Sequence, residues 1–162
     1  MKLLQATTFI LLAAATVTSF GQAEKDNDRK FVENWFAKAD NAFSSGHVDA
    51  YFAMLGPDYY FVDSDGNRME IQTVKSTIGG FLKSVHDFKI KTTIKNVQLQ
   101  EGEYMAWVEQ KISFKANEHG KWVPYTKTAR FADAIDNTSR GWALTSTQQL
   151  MTDEPWPFKT NN

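Results

Sequence analysis

The stretch from Glu103 to Leu150 constrains this chain more than any other. It divides into three runs rich in aromatic and β-branched residues: Tyr104 to Ala116, Trp122 to Ile135 and Trp142 to Leu150. Turn formers separate them, first Asn117-Glu118-His119-Gly120 and then Asp136-Asn137-Thr138-Ser139-Arg140-Gly141. Long runs punctuated this way predict an antiparallel meander. A sheet of that length must bury one face. The helical stretches upstream have nothing else to pack on.

Three such stretches are legible. Phe31, Val32, Trp35, Phe36, Ala39, Ala42 and Phe43 recur at three- and four-residue spacings, which predicts one wide apolar stripe on a helix over 31–43. Asp26 to Asp28 offer N-cap and first-turn acids, and Gly46 offers a stop. A short helix fits Val48 to Leu55, ended by Gly56-Pro57. Tyr59 to Asp63 reads as a strand, Ser64-Asp65-Gly66-Asn67 as a turn, and Arg68 to Gln72 as its return. Thr73 then caps a third helix through Val85. The pair Gly79-Gly80 inside it costs about 1 kcal/mol per Gly relative to Ala, which suggests close approach of a neighbouring backbone.

After that helix, Phe88, Ile90, Thr92 and Ile94 alternate with Lys89, Lys91, Thr93 and Lys95. The apolar set resumes one residue out of phase at Val97 and Leu99, so a bulge is expected at Lys95-Asn96. In the next strand Ala106, Val108, Ile112 and Phe114 form the inner face and carry Gln110 with them. Trp107, Glu109 and Lys111 take the outer face. The phase of 122–135 stays open, because Arg130 and the set Tyr125, Ala129 and Phe131 occupy opposite faces.

The chain has 162 residues, 42% of them hydrophobic, which fits one globular domain. Lys2 followed by the apolar Leu3 to Val17 reads as a secretory signal over residues 1–21, with cleavage after Gly21 or Ala23. A loose segment over 22–30, a single domain over 31–150 and a tail over 151–162 come next. In that tail Pro155-Trp156-Pro157-Phe158 is expected to dock on a groove. The mature chain is expected to be exported, periplasmic or extracellular, and not inserted in a membrane. It would carry 17 basic against 19 acidic residues. That near-balance argues against nucleic acid or an anionic membrane surface as partner. There is no Cys, which removes disulfides, thiol nucleophiles and thiolate metal sites. The three His are scattered without metal-ligand spacing, so no metal site and no cofactor is expected.

The order helix, short helix, hairpin, helix and bent meander resembles the nuclear transport factor 2-like superfamily. Local marks are Ser45-Gly46-His47-Val48-Asp49-Ala50-Tyr51, Tyr60-Phe61-Val62-Asp63-Ser64-Asp65-Gly66 and Gly141-Trp142-Ala143-Leu144. The resemblance covers roughly 29–150. It implies an α+β fold, a cone-shaped curved antiparallel sheet packed on three N-terminal helices, as in ketosteroid isomerases, limonene epoxide hydrolases and SnoaL-like polyketide cyclases. It also implies a homodimer through the outer sheet face around Trp107. The isomerase-type members place a general-base Asp where Asp63 stands. Their oxyanion-stabilising Tyr falls at Ala39, and the His common on the last strand falls at Ser146 and Gln148.

Asp63 is therefore a candidate base, set against its simpler role of bonding amides in the hairpin turn. Its run to Asn67 hints at a calcium loop, but Val74 stands where a bidentate Glu is needed. Trp35, Tyr51 and Tyr60 are candidate pocket walls or plain core. Gln110, Ser146 and Gln148 are candidate hydrogen-bonding groups of a pocket. Arg130 would bind a ligand carboxylate if buried, and is decoration if exposed. Three readings stay open: a module binding a small apolar or amphipathic molecule, an association domain, and an acid/base enzyme built on Asp63.

Overall fold

The computed structural model describes residues 6–151, with side chains placed over 25–150. The first five residues of the expected signal and the Pro155–Phe158 tail lie outside the described residues. Two compact units divide the chain between Phe31 and Val32. Helix α1 runs Ala6–Ser44 and supplies the helical part of the first unit. Residues 22–30, expected to be loose, are helical, so Asp26 to Asp28 sit within α1 and do not cap it. Among the described residues no helix is long and apolar enough to cross a membrane. The second unit, from Val32 on, holds the sheet and the remaining helices.

In this second unit α1 buries Val32, Trp35, Phe36, Ala39, Ala42 and Phe43, the stripe its spacing predicts. It stops at Gly46, whose φ of 79° suits a residue without a Cβ. Helix α2 is only Val48–Phe52. Strand β1, Leu55–Val62, comes directly after and contains Gly56 and Pro57, the pair expected to end the helix. A Cβ at Gly56 would lie 3.4 Å from the Leu144 carbonyl oxygen, an ordinary contact distance. Strand β2 is Arg68–Glu70 and helix α3 is Ile71–Ser84. Four long strands complete the chain: β3 Val85–Gln100, β4 Glu103–Glu118, β5 Lys121–Thr138 and β6 Gly141–Met151.

The six strands form one curved sheet in the order β2-β1-β6-β5-β4-β3. All ladders are antiparallel except β1 with β6, which is parallel and makes the sheet mixed. The β4–β5 ladder holds one register from Tyr104↔Ile135 to Glu118↔Lys121. The β3–β4 ladder slips between Ile94 and Asn96, the bulge expected at Lys95-Asn96, and again between His86 and Lys89. Each slip adds local bend and twist. The resulting α+β fold agrees with the expected class.

The inner face is crowded with rings. Phe81 meets Phe114 edge-on at 5.1 Å, Phe43 meets Tyr51 at 4.1 Å, and Phe61 meets Phe131 at 6.3 Å. Burying each such side chain contributes about 2–3 kcal/mol. On the outer face Glu109 bonds Lys95 at 3.1 Å and Arg130 at 3.4 Å. The Lys95 bond chiefly holds the Glu109 carboxyl below the usual range. These exposed pairs add little to stability.

Gly79 and Gly80 do not mark a close approach. A Cβ at either would meet no atom within 4 Å. Both are helix-interior glycines without a packing reason. Gly79→Ala and Gly80→Ala are each expected to stabilise the domain by about 0.5–1 kcal/mol and raise the thermal midpoint by a few degrees. Thermal denaturation checks this; a lower midpoint in either variant would mean the glycines serve a conformation other than this helix.

Candidate functional site

A cavity of about 60 Å³ lies within the second unit. Helix α1 contributes Trp35, Phe36, Ala39, Asp40 and Phe43 to its wall, and α2 contributes Tyr51. Val74, Thr77 and Ile78 come from α3. The sheet adds Tyr59 and Phe61 from β1, Met69 from β2, Ile90 from β3 and Gln110 from β4. Phe131 and Asp133 come from β5, and Leu144 and Thr147 from β6. The wall is mostly aromatic and aliphatic, with a few polar groups, which is the usual make-up of a small-molecule site.

Asp133 is the unusual member. Alternation along β5 turns Ala129, Phe131, Asp133 and Ile135 inward, and Asp133 is only 2% exposed. Its cross-strand partner is Thr147, whose hydroxyl donates to Asp133 Oδ1 at 2.6 Å. Burial pushes the carboxyl up to about 7, against the opposing pull of the Thr147 bond. Thr147 also lies against the Tyr59 phenol. Burial raises Tyr59 well above the usual range for a phenol, and Tyr51 and Asp133 add to that. Tyr51 is raised by burial, then by Asp133 and Asp40. Asp40 accepts from the Thr92 amide at 2.6 Å and the Thr92 hydroxyl at 2.7 Å. Burial nonetheless leaves its carboxyl raised. A carboxyl poised near neutrality inside an apolar wall can give or take a proton, or pair with a cation.

A family model for the SnoaL-like domain matches residues 32–152. The chain belongs to this family. Solved structures similar to it include a conserved protein from Planctomyces limnophilus, with a TM-score of 0.67 at 10% identity, covering 77% of this chain and 96% of that one. An NTF2-like superfamily protein from Salmonella enterica scores 0.63 at 8% identity, covering 80% and 94%. An NTF2-like protein with a cystatin-like fold from Novosphingobium aromaticivorans scores 0.57 at 11% identity, covering 86% and 91%. At such identities the likeness speaks to fold alone. Among curated proteins none matches the sequence.

This SnoaL-like domain gathers only some of the residues singled out from sequence. Trp35, Tyr51 and Gln110 line the cavity. Asp63 does not. It is buried, at 7% exposed, but its carboxylate is a turn device. Oδ1 accepts from the Asp65 and Asn67 amides at 2.9 Å each, and Oδ2 from the Asn67 side chain at 3.0 Å. Tyr60 faces outward under the Arg68 guanidinium, 3.7 Å from its ring centre. Arg130 is exposed and paired with Glu109, so it is not a buried carboxylate binder. Ser146 and Gln148 miss the cavity because the β5–β6 register shifts between Ala134 and Ile135. Thr145 is the extra residue, so inward positions pass from Leu144 to Thr147 and Gln149. Gln148 is exposed and donates to the Gln149 carbonyl at 3.1 Å. Among the described residues no three His, Asp or Glu side chains converge as metal ligands.

Asp133 is the site residue that sequence reasoning passes over, although continuing the Ala129, Phe131 alternation by two reaches it. Its raised carboxyl has a consequence for stability. Unfolded, it ionises near the ordinary value of 3.8; folded, it resists ionisation until about 7. The stability it contributes is therefore present below about pH 4 and lost as pH rises to about 7, a change on the order of 4 kcal/mol. Asp133→Asn is expected to flatten this slope in chemical denaturation at a series of pH values. An unchanged slope in the variant would mean that other groups set it.

Proposed function

We propose that this domain binds a small, mostly apolar molecule in the ring-lined cavity, held by one polar contact at the Asp133–Thr147 pair. The observation that carries this reading is the composition of the wall. Phe36, Phe61, Phe131 and Ile78 exclude water, while Asp133, Thr147 and Gln110 supply a few convergent polar groups. Xenon, small enough for this cavity, should bind the purified protein, and native mass spectrometry of protein taken from its own host should show a bound organic species of a few heavy atoms. Thr77→Phe, which adds a ring at the wall from the half-buried face of α3, should weaken xenon binding by more than about tenfold while keeping the fold. A protein that is empty as isolated and also rejects xenon would contradict the reading.

A second reading is favoured by one observation, the Asp133 carboxyl held at about 7 within the cavity. It is acid/base catalysis with Asp133, not Asp63, moving the proton. Any turnover found should show an ionisation near neutrality that Asp133→Asn abolishes and Asp63→Asn preserves. The reverse pattern would return the role to Asp63.

Export is proposed on the pattern of Lys2 followed by the apolar run to Val17. Intact-mass measurement of protein recovered from the host should then find a chain starting at Gln22 or Glu24.

A further inference from the structure

Asp40 and Asp133 are the only charged side chains on the cavity wall among the described residues. No Lys, Arg or His faces them there. Lys95 and Arg130 pair with Glu109, Lys115 with Asp87, and Arg68 with Glu70, all away from this wall. The Tyr51 and Tyr59 rings lie near Asp133, and Tyr51 also near Asp40, while the Trp35 and Phe43 rings line the same cavity. Ring faces carry partial negative charge and attract cations. The cavity wall therefore combines two acids and several aromatic rings with no basic side chain of its own, and the Lys91 charge outside it acts on Asp40.

We infer that the molecule taken up is a small organic amine, bound as its ammonium form with Asp133 as the principal countercharge. This rests on the pocket reading and names the ligand class for it. An ionised carboxylate in an apolar interior is costly unless paired. Here the wall does not supply the pair, so a bound ammonium would. An apolar stem on the amine fits the Phe36, Phe61 and Phe131 side of the cavity. A ligand carboxylate would meet two acids and is excluded by like charge.

Every element around Asp133 agrees with a pH dependence set by that group. Thr147 on β6 donates to it, and Tyr59 on β1 and Tyr51 on α2 stay neutral phenols, both raised by burial. Gln110 on β4 is neutral, and α3 brings only Val74, Thr77 and Ile78 to the wall. Asp40 on α1 is engaged with Thr92 on β3, and the Lys91 charge nearby acts on Asp40. Amine binding should therefore strengthen as Asp133 ionises, with release of a proton.

The test compares three small probes by calorimetry on the full domain, chosen to fit a cavity of about 60 Å³: methylamine, methanol and formate. Methylamine should bind more than about tenfold tighter than methanol above neutrality, with formate weakest. Between roughly pH 6 and roughly pH 8 its affinity should rise about tenfold, since it stays protonated while Asp133 ionises. Asp133→Asn should bring methylamine down to the affinity of methanol and remove the pH dependence. Should that variant fail to fold, the pH dependence of the wild-type protein still decides. Equal binding of amine and alcohol, or tightest binding of formate, would overturn the amine inference and leave the pocket standing. No binding of any probe at millimolar concentration would overturn both.

Discussion

Burial of the Asp133 carboxyl is the constraint on which the site depends. An ionised carboxylate out of water loses far more solvation than one hydrogen bond returns. The domain meets this in two ways. It lifts the carboxyl to about 7, so that the neutral form persists up to about neutral pH. It also aims the Thr147 hydroxyl at Oδ1 from the facing strand. Both need Asp133 opposite Thr147 in the β5–β6 ladder. A one-residue slip would point either side chain to the other face.

The register is set by features far from the carboxyl. The unbroken β4–β5 ladder aligns Gln110 with Ala129 and Val108 with Phe131, which fixes the inner faces of both strands. The extra residue at Thr145 then reverses the phase of β6 and brings Thr147, not Ser146, inward. The parallel pairing of β1 with β6 sets Phe61 opposite Thr147, and the Tyr59 phenol lies against the Thr147 hydroxyl. Helices α1 and α3 close the apolar side with Trp35, Phe36 and Ile78. The rings exclude water, and exclusion of water is what raises Asp133.

Much of the fold is legible in the sequence because it comes from spacing. The stripe on α1, the alternation in β3 and β4, and the bulge at Lys95-Asn96 are all local patterns with one physical reading. The site is harder to read. Asp63 sits where an acid can serve either a turn or a reaction, and only the Asp65 and Asn67 amides decide between them. Ser146 and Gln148 are singled out by the family resemblance, as the positions matching its pocket-side His, and the extra residue at Thr145 turns them away from the cavity. Arg130 stands out as a charge between small residues, yet it is exposed, and the opposite face of its strand carries Asp133 inward. Gly79-Gly80 carries a composition signal without a packing cause. Bulges and register are tertiary facts, and they decide which polar residues face the cavity.

The cavity thus joins a water-excluding ring lining to an acid held near its point of ionisation. Binding of an ammonium ion and transfer of a proton draw on the same property, and both vanish if the carboxyl behaves as an ordinary surface aspartate. Titration of Asp133 by carboxyl-carbon NMR measures it directly. A midpoint near 7 is expected. A midpoint near the ordinary value of 3.8 would show that water reaches the group and that the cavity holds no such acid.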